Sequence, residues 1–180
     1  ILKELVSEFN ILCEVNINEP VFLFVGAFER KGLEKALSLL STLEKSQIII
    51  IGKGEHSNTP PVQKGVKTFY IPFTKRIELF YQLSDCFIFP TIYEPFGLVI
   101  AEAAAMGNNI ITYRKNVGAS EILECLPSVR FLDFGPKVEL DDQLLSSSKR
   151  LKNAINVRER LGHYSWSKPA KALQEILSSF

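Results

Sequence analysis

Val21-Phe-Leu-Phe-Val-Gly-Ala-Phe-Glu-Arg-Lys-Gly-Leu-Glu-Lys-Ala-Leu-Ser-Leu-Leu-Ser-Thr-Leu-Glu-Lys-Ser-Gln-Ile-Ile-Ile-Ile-Gly52 contains one complete strand–helix–strand unit. The apolar run Val21–Val25 shows no alternation and stops at Gly26; four isoleucines at 48–51 behave the same way and stop at Gly52. Uninterrupted apolar runs of this length predict strands buried on both faces, as in a parallel sheet covered by helices. Between them, residues 32–45 set Leu33, Ala36, Leu37, Leu40 and Leu43 on one helical stripe. The unit recurs along the chain. Cys86-Phe-Ile-Phe89 ends at Pro90, residues 110–113 and 129–132 repeat the style, and 67–71 is a weaker instance. Residues 77–84 turn Ile77, Phe80, Tyr81 and Leu83 inward, and the apolar segment 98–106 stops at Gly107. Long amphipathic (140–161) and closing (169–180) helical patterns follow. The reading is an α/β doubly wound parallel sheet with right-handed crossovers, one domain over residues 1–180 with 162–180 as a carboxyl-terminal helix. Ligands of such sheets bind beyond the carboxyl ends of the strands. The loops after Val25, Ile51, Ile71 and Phe89 are therefore where chemistry is expected. The polar, proline-rich residues 53–64 predict a further loop.

Composition excludes several classes. The chain of 180 residues is 46% hydrophobic and 23% charged, and its 21 Lys and Arg against 20 Asp and Glu leave +1. That balance excludes a disordered chain and argues against nucleic acid as a partner. Cys13, Cys86 and Cys125 are far apart with no Cys-x-x-Cys spacing. This speaks against a disulfide framework or zinc site and for reduced thiols in a cytoplasmic protein. No segment approaches the ~18 apolar residues of a membrane span. The amino end starts without Met inside a helical pattern, which predicts a piece of a longer protein.

Chemistry concentrates in Pro90-Thr-Ile-Tyr-Glu94-Pro-Phe-Gly-Leu-Val-Ile-Ala-Glu102-Ala-Ala-Ala-Met-Gly107. A helix starting near Gly97 presents amide N–H groups that lack intrahelical partners, and its dipole favours an anion there. Gly97 has no Cβ, so a ligand approaches the backbone closely. Phosphate oxygens would accept from the amides of Leu98 and Val99. The carboxylates of Glu94 and Glu102 repel phosphate but suit hydroxyl groups, through charge-assisted bonds of roughly 1.5–3 kcal/mol each. A diphosphate flanked by two sugars, that is a nucleotide diphosphate-sugar, has this pattern of charge and hydroxyls. The plain alternative is a Glu-Pro turn and a solvated helix glutamate. Against it, Glu102 is surrounded in sequence by Val99, Ile100, Ala101, Ala103, Ala104 and Ala105. That context predicts a desolvated carboxylate in need of a partner.

Tyr93-Glu-Pro-Phe-Gly-Leu-Val-Ile-Ala-Glu-Ala-Ala-Ala-Met-Gly107 resembles the Glu, seven residues, Glu signature of retaining GT-B glycosyltransferases, in particular family 4, the glycosyl transferases group 1. The resemblance extends over residues 21–122, with Leu83-Ser-Asp-Cys-Phe-Ile-Phe-Pro-Thr91 and Asn109-Ile-Ile-Thr112 similar to the flanking strands. It returns at Tyr164-Ser-Trp-Ser-Lys168. It implies one Rossmann-like half of a GT-B fold, the donor-binding half. It further implies that Glu94 contacts the donor sugar near the reacting carbon, that Glu102 binds the ribose hydroxyls, and that Leu98 and Val99, after Phe96 and Gly97, hold the diphosphate. Pro72 and Phe73 would border the base. In the first loop, after Gly26, Ala27 stands where the family has Arg. Arg30-Lys31-Gly32 is similar to the variant of lipopolysaccharide-core glucosyltransferases, which implies that Arg30 and Lys31 supply positive charge over the diphosphate. There is no Asp-x-Asp pair, and Asp141-Asp142 lies far from these loops. No metal and no cofactor beyond the substrate are therefore expected, with leaving-group charge met by Arg30, Lys31 and the helix amides.

The function implied is transfer of a hexose, from a UDP-sugar, to a glycan or lipid-linked acceptor in lipopolysaccharide or cell-surface polysaccharide synthesis. An amino-terminal acceptor domain would complete the enzyme, and the isolated domain would be inactive. The rival is a non-catalytic nucleotide-binding or partner module. Ala27 favours it, and so does Val117-Gly118-Ala-Ser-Glu121, which resembles the family's Gly-Gly-x-x-Glu turn with Val117 in place of the first glycine. A sugar-nucleotide epimerase is a weaker third reading. His56 and His163 read as surface residues. Lys149, Arg150, Lys152, Arg158 and Arg160 read as a solvated basic face, with peripheral contact to the inner face of an anionic membrane as the alternative.

Overall fold

The computed structural model describes residues 1–26, 28–53, 62–124, 126–132 and 150–162, together with Lys171, Gln174, Glu175 and Ser178. Six strands form one parallel sheet: β1 Val21–Val25, β2 Ser46–Ile51, β3 Val66–Ile71, β4 Cys86–Phe89, β5 Asn109–Thr112 and β6 Val129–Phe131. Their order is β3-β2-β1-β4-β5-β6. Phe22, Leu23, Phe24, the isoleucines at 48–50, Phe87, Ile88 and Phe89 are all fully buried, as strands covered on both faces require. Phe24 of β1 meets Phe89 of β4 with ring centroids 6.1 Å apart, so the two central strands are also tied through their aromatic rings. The edge strand β3 buries Val66, Phe69 and Ile71 but leaves Lys67 exposed and Thr68 and Tyr70 half-buried, which explains its weaker sequence signal.

The helices are α1 Leu2–Glu8, α2 Phe28–Lys31, α3 Leu33–Leu40, α4 Ile77–Leu83, α5 Leu98–Ala105, α6 Ser120–Leu123 and α7 Arg150–Leu161, with a 3-10 turn at Asn10–Glu14. The helix expected over 32–45 is shorter. The hydroxyls of Ser41 and Thr42 donate back to the carbonyls of Ser38 and Leu39, both at 2.7 Å, and these local bonds end it. In α4 the buried residues are Leu79, Phe80 and Tyr81, while Ile77 is only half-buried. The expected loop over 53–64, the start of the long helix before residue 150, Asp141-Asp142, both histidines and the 164–168 segment fall wholly or mainly outside the described residues.

Right-handed crossovers place α4 and α5 on the same face of the sheet. There α7 packs on α5 and closes off both carboxyl ends. Arg150 Nη2 donates to the Tyr81 carbonyl at 3.0 Å, and the same guanidinium donates to the carbonyls of Gln82 and Ser84. Arg158 Nε donates to the Ala105 carbonyl at 2.9 Å. Each arginine meets carbonyls that a helix end leaves unpaired, where the dipole is negative. The expectation of a uniformly solvated basic face is corrected here, since Arg150 is partly buried and both it and the exposed Arg158 are engaged by backbone carbonyls. Arg150→Ala is expected to cost about 2 kcal/mol of stability, read from the urea unfolding midpoint.

Candidate functional site

The direction of strand succession reverses between β1 and β4, and the crevice at that switch point is where such sheets take ligands. The loops leaving these two strands are bound to each other. The Arg30 carbonyl accepts from Thr91 Oγ1 at 3.1 Å and from the Ile92 N–H at 3.3 Å. Gly32, which follows α2 and caps α3, has φ +80°, and a Cβ placed there would lie 2.1 Å from the Pro90 carbonyl oxygen.

The loop carrying Glu94 is held from the other side by the turn after β5. The Glu94 N–H donates to the Asn116 carbonyl at 2.8 Å, the Gly118 N–H to the Glu94 carbonyl at 3.2 Å, and the Ala119 N–H to the Phe96 carbonyl at 2.7 Å. Asn116 Nδ2 reaches the Thr91 carbonyl at 3.0 Å. Glu94 and Val117 thus form a one-residue parallel bridge. This brace was not legible in the sequence, where Val117 stood out only as a departure from a glycine pair.

Gly97 takes φ +90° and ψ 60° as the N-cap of α5, a left-handed conformation that favours glycine. Its carbonyl accepts from the N–H groups of Ile100 and Ala101. Among the described residues nothing accepts from the amides of Leu98 and Val99, and Leu98 is 67% exposed. The helix therefore opens to solvent with free donors and the positive end of its dipole. The Glu94 side chain passes close by, its Cγ 3.2 Å from where a Gly97 Cβ would sit.

Lys31 and Glu94 form an ion pair, although 63 residues apart, and the ammonium lies 5.2 Å above the Phe89 ring centre. Burial, and secondly the neighbouring Arg30, lower the Lys31 pKa from its ordinary value. Arg30 itself is exposed. Both cations lie in the last turn of the four-residue α2. The sequence reading gave Lys31 and Glu94 separate roles, and the structure joins them.

Glu102 is exposed, on the face of α5 that also carries Leu98 one turn earlier. The expectation of a carboxylate desolvated among apolar neighbours is thereby corrected: those neighbours turn towards the sheet and leave Glu102 outside. It does have a partner, the Tyr81 hydroxyl, which donates to Oε2 at 2.9 Å. Tyr81 is 2% exposed. The sequence reading placed it inward without asking what its hydroxyl would bond, and a buried phenol normally needs a partner. Burial first, then Glu102, raises the phenol pKa. Above about pH 10 the unfolded chain releases this proton while the folded chain keeps it, so stability falls as pH rises. Tyr81→Phe is expected to remove that share of the alkaline loss, as measured by urea unfolding across this range.

Pro72 and Phe73 are exposed on the loop after the edge strand β3, and Gly26 leads out of β1 with its N–H donating to the Ile51 carbonyl at 2.9 Å. No group of three or more potential metal ligands occurs among the described residues. No helix among them is long and apolar enough to cross a membrane.

Comparison with known proteins agrees with this geometry. The chain is 29% identical over 108 residues to the uncharacterized glycosyltransferase MJ1607 of Methanocaldococcus jannaschii, covering 54% of this chain and 28% of that protein. The structure of Anabaena Alr3699/HepE in complex with UDP superposes with a TM-score of 0.70 at 19% identity, over 99% of this chain and 52% of that one. WaaG, a glycosyltransferase involved in lipopolysaccharide biosynthesis, gives 0.65 at 19% identity, over 95% and 50%. At these identities the structural likenesses show the fold, the Rossmann-like sheet of GT-B glycosyltransferases. The chain spans about half the length of these two structures and about a quarter of the curated relative. The profile of the family described as glycosyl transferases group 1 matches residues 14–126, more than half of the chain, and the chain belongs to that family.

Proposed function

We propose that this chain is the donor-binding domain of a retaining, family 4 hexosyltransferase that draws on a UDP-sugar. One observation carries the reading: at the switch point, α5 opens with two amides that have no acceptor among the described residues, with the Glu94 side chain beside the helix start and Glu102 exposed one turn further along. Those amides suit a diphosphate, and the carboxylates suit hydroxyl groups on either side of it. On this reading Glu102 grips the ribose and Glu94 orients the hexose. The leaving UDP gathers negative charge as the sugar–phosphate bond breaks, and the α5 amides with Arg30 and Lys31 stabilise it without a metal. Lys31 must then exchange its Glu94 partner for phosphate when the donor enters. HepE has been solved with UDP and with UDP-glucose, which supports a UDP-sugar as the donor class. The acceptor, a glycan or lipid-linked sugar of the cell envelope, would be held by an amino-terminal domain elsewhere in the full-length protein, on the cytoplasmic side of the membrane.

A calorimetric titration tests the reading. UDP is expected to bind the 180-residue chain with the same affinity in the presence of EDTA, and GDP to bind more weakly. No binding of either nucleotide would remove the donor-site assignment. The chain is also expected to transfer no sugar from UDP-glucose by itself, and measurable transfer would refute the one-half reading. The rival non-catalytic module is favoured by Val117, whose Cγ1 lies 3.2 Å from where a Gly97 Cβ would sit and so fills space beside the helix start. Turnover of UDP-glucose by the full-length protein would exclude it.

A further inference from the structure

The bond between Tyr81 and Glu102 crosses from the interior of the domain to its surface. The donor is buried on α4, and the acceptor is exposed on α5. The Tyr81 ring cannot follow a wandering carboxylate. It packs edge-on against Phe87, with centroids 6.0 Å apart and planes at 66°. The Tyr81 backbone carbonyl is held by Arg150 Nη2 at 3.0 Å. An exposed glutamate otherwise samples several rotamers, and fixing it during binding would cost entropy. Here one oxygen, Oε2, is already anchored, while Oε1 has no partner among the described residues. An ionised carboxylate offers about four lone-pair sites, so a single phenol leaves room for two more donors. A vicinal pair of sugar hydroxyls supplies two.

We propose that Tyr81 is a positioning residue for the nucleotide ribose: its buried hydroxyl holds the Glu102 carboxylate by Oε2 and leaves the rest of that group pre-set for the 2′- and 3′-hydroxyls. This rests on the reading in which Glu102 grips the ribose. The raised phenol pKa keeps the hydroxyl protonated, and therefore a donor, throughout the neutral range. The merely structural alternative is that Tyr81 fills the core and Glu102 only satisfies its hydroxyl.

The two alternatives separate in one calorimetric experiment on the 180-residue chain, with UDP and 2′,3′-dideoxy-UDP as ligands. Tyr81→Phe keeps the ring packing and removes only the hydroxyl. Glu102 then turns to water, so no buried group is orphaned and the variant is expected to unfold near the wild-type urea midpoint. Its UDP affinity is expected to fall roughly tenfold, the scale of one hydrogen bond to a charged group. Its affinity for the dideoxy ligand is expected to be unchanged, because that ligand makes no use of the carboxylate. In a Glu102→Gln background, Tyr81→Phe is expected to add little. If wild type prefers UDP over the dideoxy ligand but Tyr81→Phe keeps that full preference, the positioning role is wrong while the ribose grip stands. An equal loss for both ligands would likewise show only a structural role. If wild type binds UDP and the dideoxy ligand equally well, the ribose assignment of Glu102 itself fails.

Discussion

Gly32→Ala is expected to destabilise the fold by about 3 kcal/mol, from the strain of a left-handed backbone and a clash within a packed loop. A Cβ at this position would sit 2.1 Å from the Pro90 carbonyl oxygen and 2.8 Å from its carbon. Both are backbone atoms and cannot rotate away as a flexible side chain would. Pro90 cannot move freely either, because Thr91 and Ile92 are bound to the Arg30 carbonyl two residues before Gly32. The residue also holds φ +80°, a conformation that alanine resists. Urea unfolding measures the loss. Nucleotide binding should weaken in the same variant, since the two loops pushed apart are those that form the crevice. A variant within about 0.5 kcal/mol of wild type, the scale of an ordinary surface change, would contradict this packing.

Glu102→Ala is expected to lower UDP affinity by roughly 30- to 100-fold while leaving stability nearly unchanged. Two hydroxyl–carboxylate bonds would be lost, each of about 1.5–3 kcal/mol and not fully additive. Stability should hold because the side chain is exposed and water replaces it at the Tyr81 hydroxyl. This separation of affinity from stability distinguishes a ligand-gripping glutamate from one that merely completes the fold. If the unfolding midpoint drops and affinity does not, Glu102 belongs to the structure alone.

The central strands were legible in the sequence because burial on both faces removes every polar position from Val21–Val25 and from the isoleucines at 48–51. The switch-point loops followed from the same runs, since the run of β1 ends at Gly26 and that of β4 at Pro90. The start of α5 was legible because Gly97 precedes an apolar run that only a helix packed on a sheet explains. Helix ends were less so: Ser41 and Thr42 close α3 through hydroxyl bonds that a stripe of leucines does not foretell. What could not be read were pairings between distant segments. Lys31 finds Glu94 across 63 residues, Tyr81 finds Glu102 across 21, and Asn116 with Val117 braces a loop from the far side of α5. Each pairing depends on how the crossovers bring two helices or loops together, and no local periodicity encodes that. Tyr81 left one trace, a hydroxyl on a buried stripe that had to be satisfied somewhere.

Amide chemical shifts of Leu98 and Val99, followed in a ¹H–¹⁵N spectrum of the 180-residue chain during titration with UDP and separately with uridine, report directly on the start of α5. If these amides hold a diphosphate, they shift strongly with UDP and little with uridine. Amides at 98 and 99 that stay in place while UDP perturbs a different part of the sheet would show that the helix start is not the anion site.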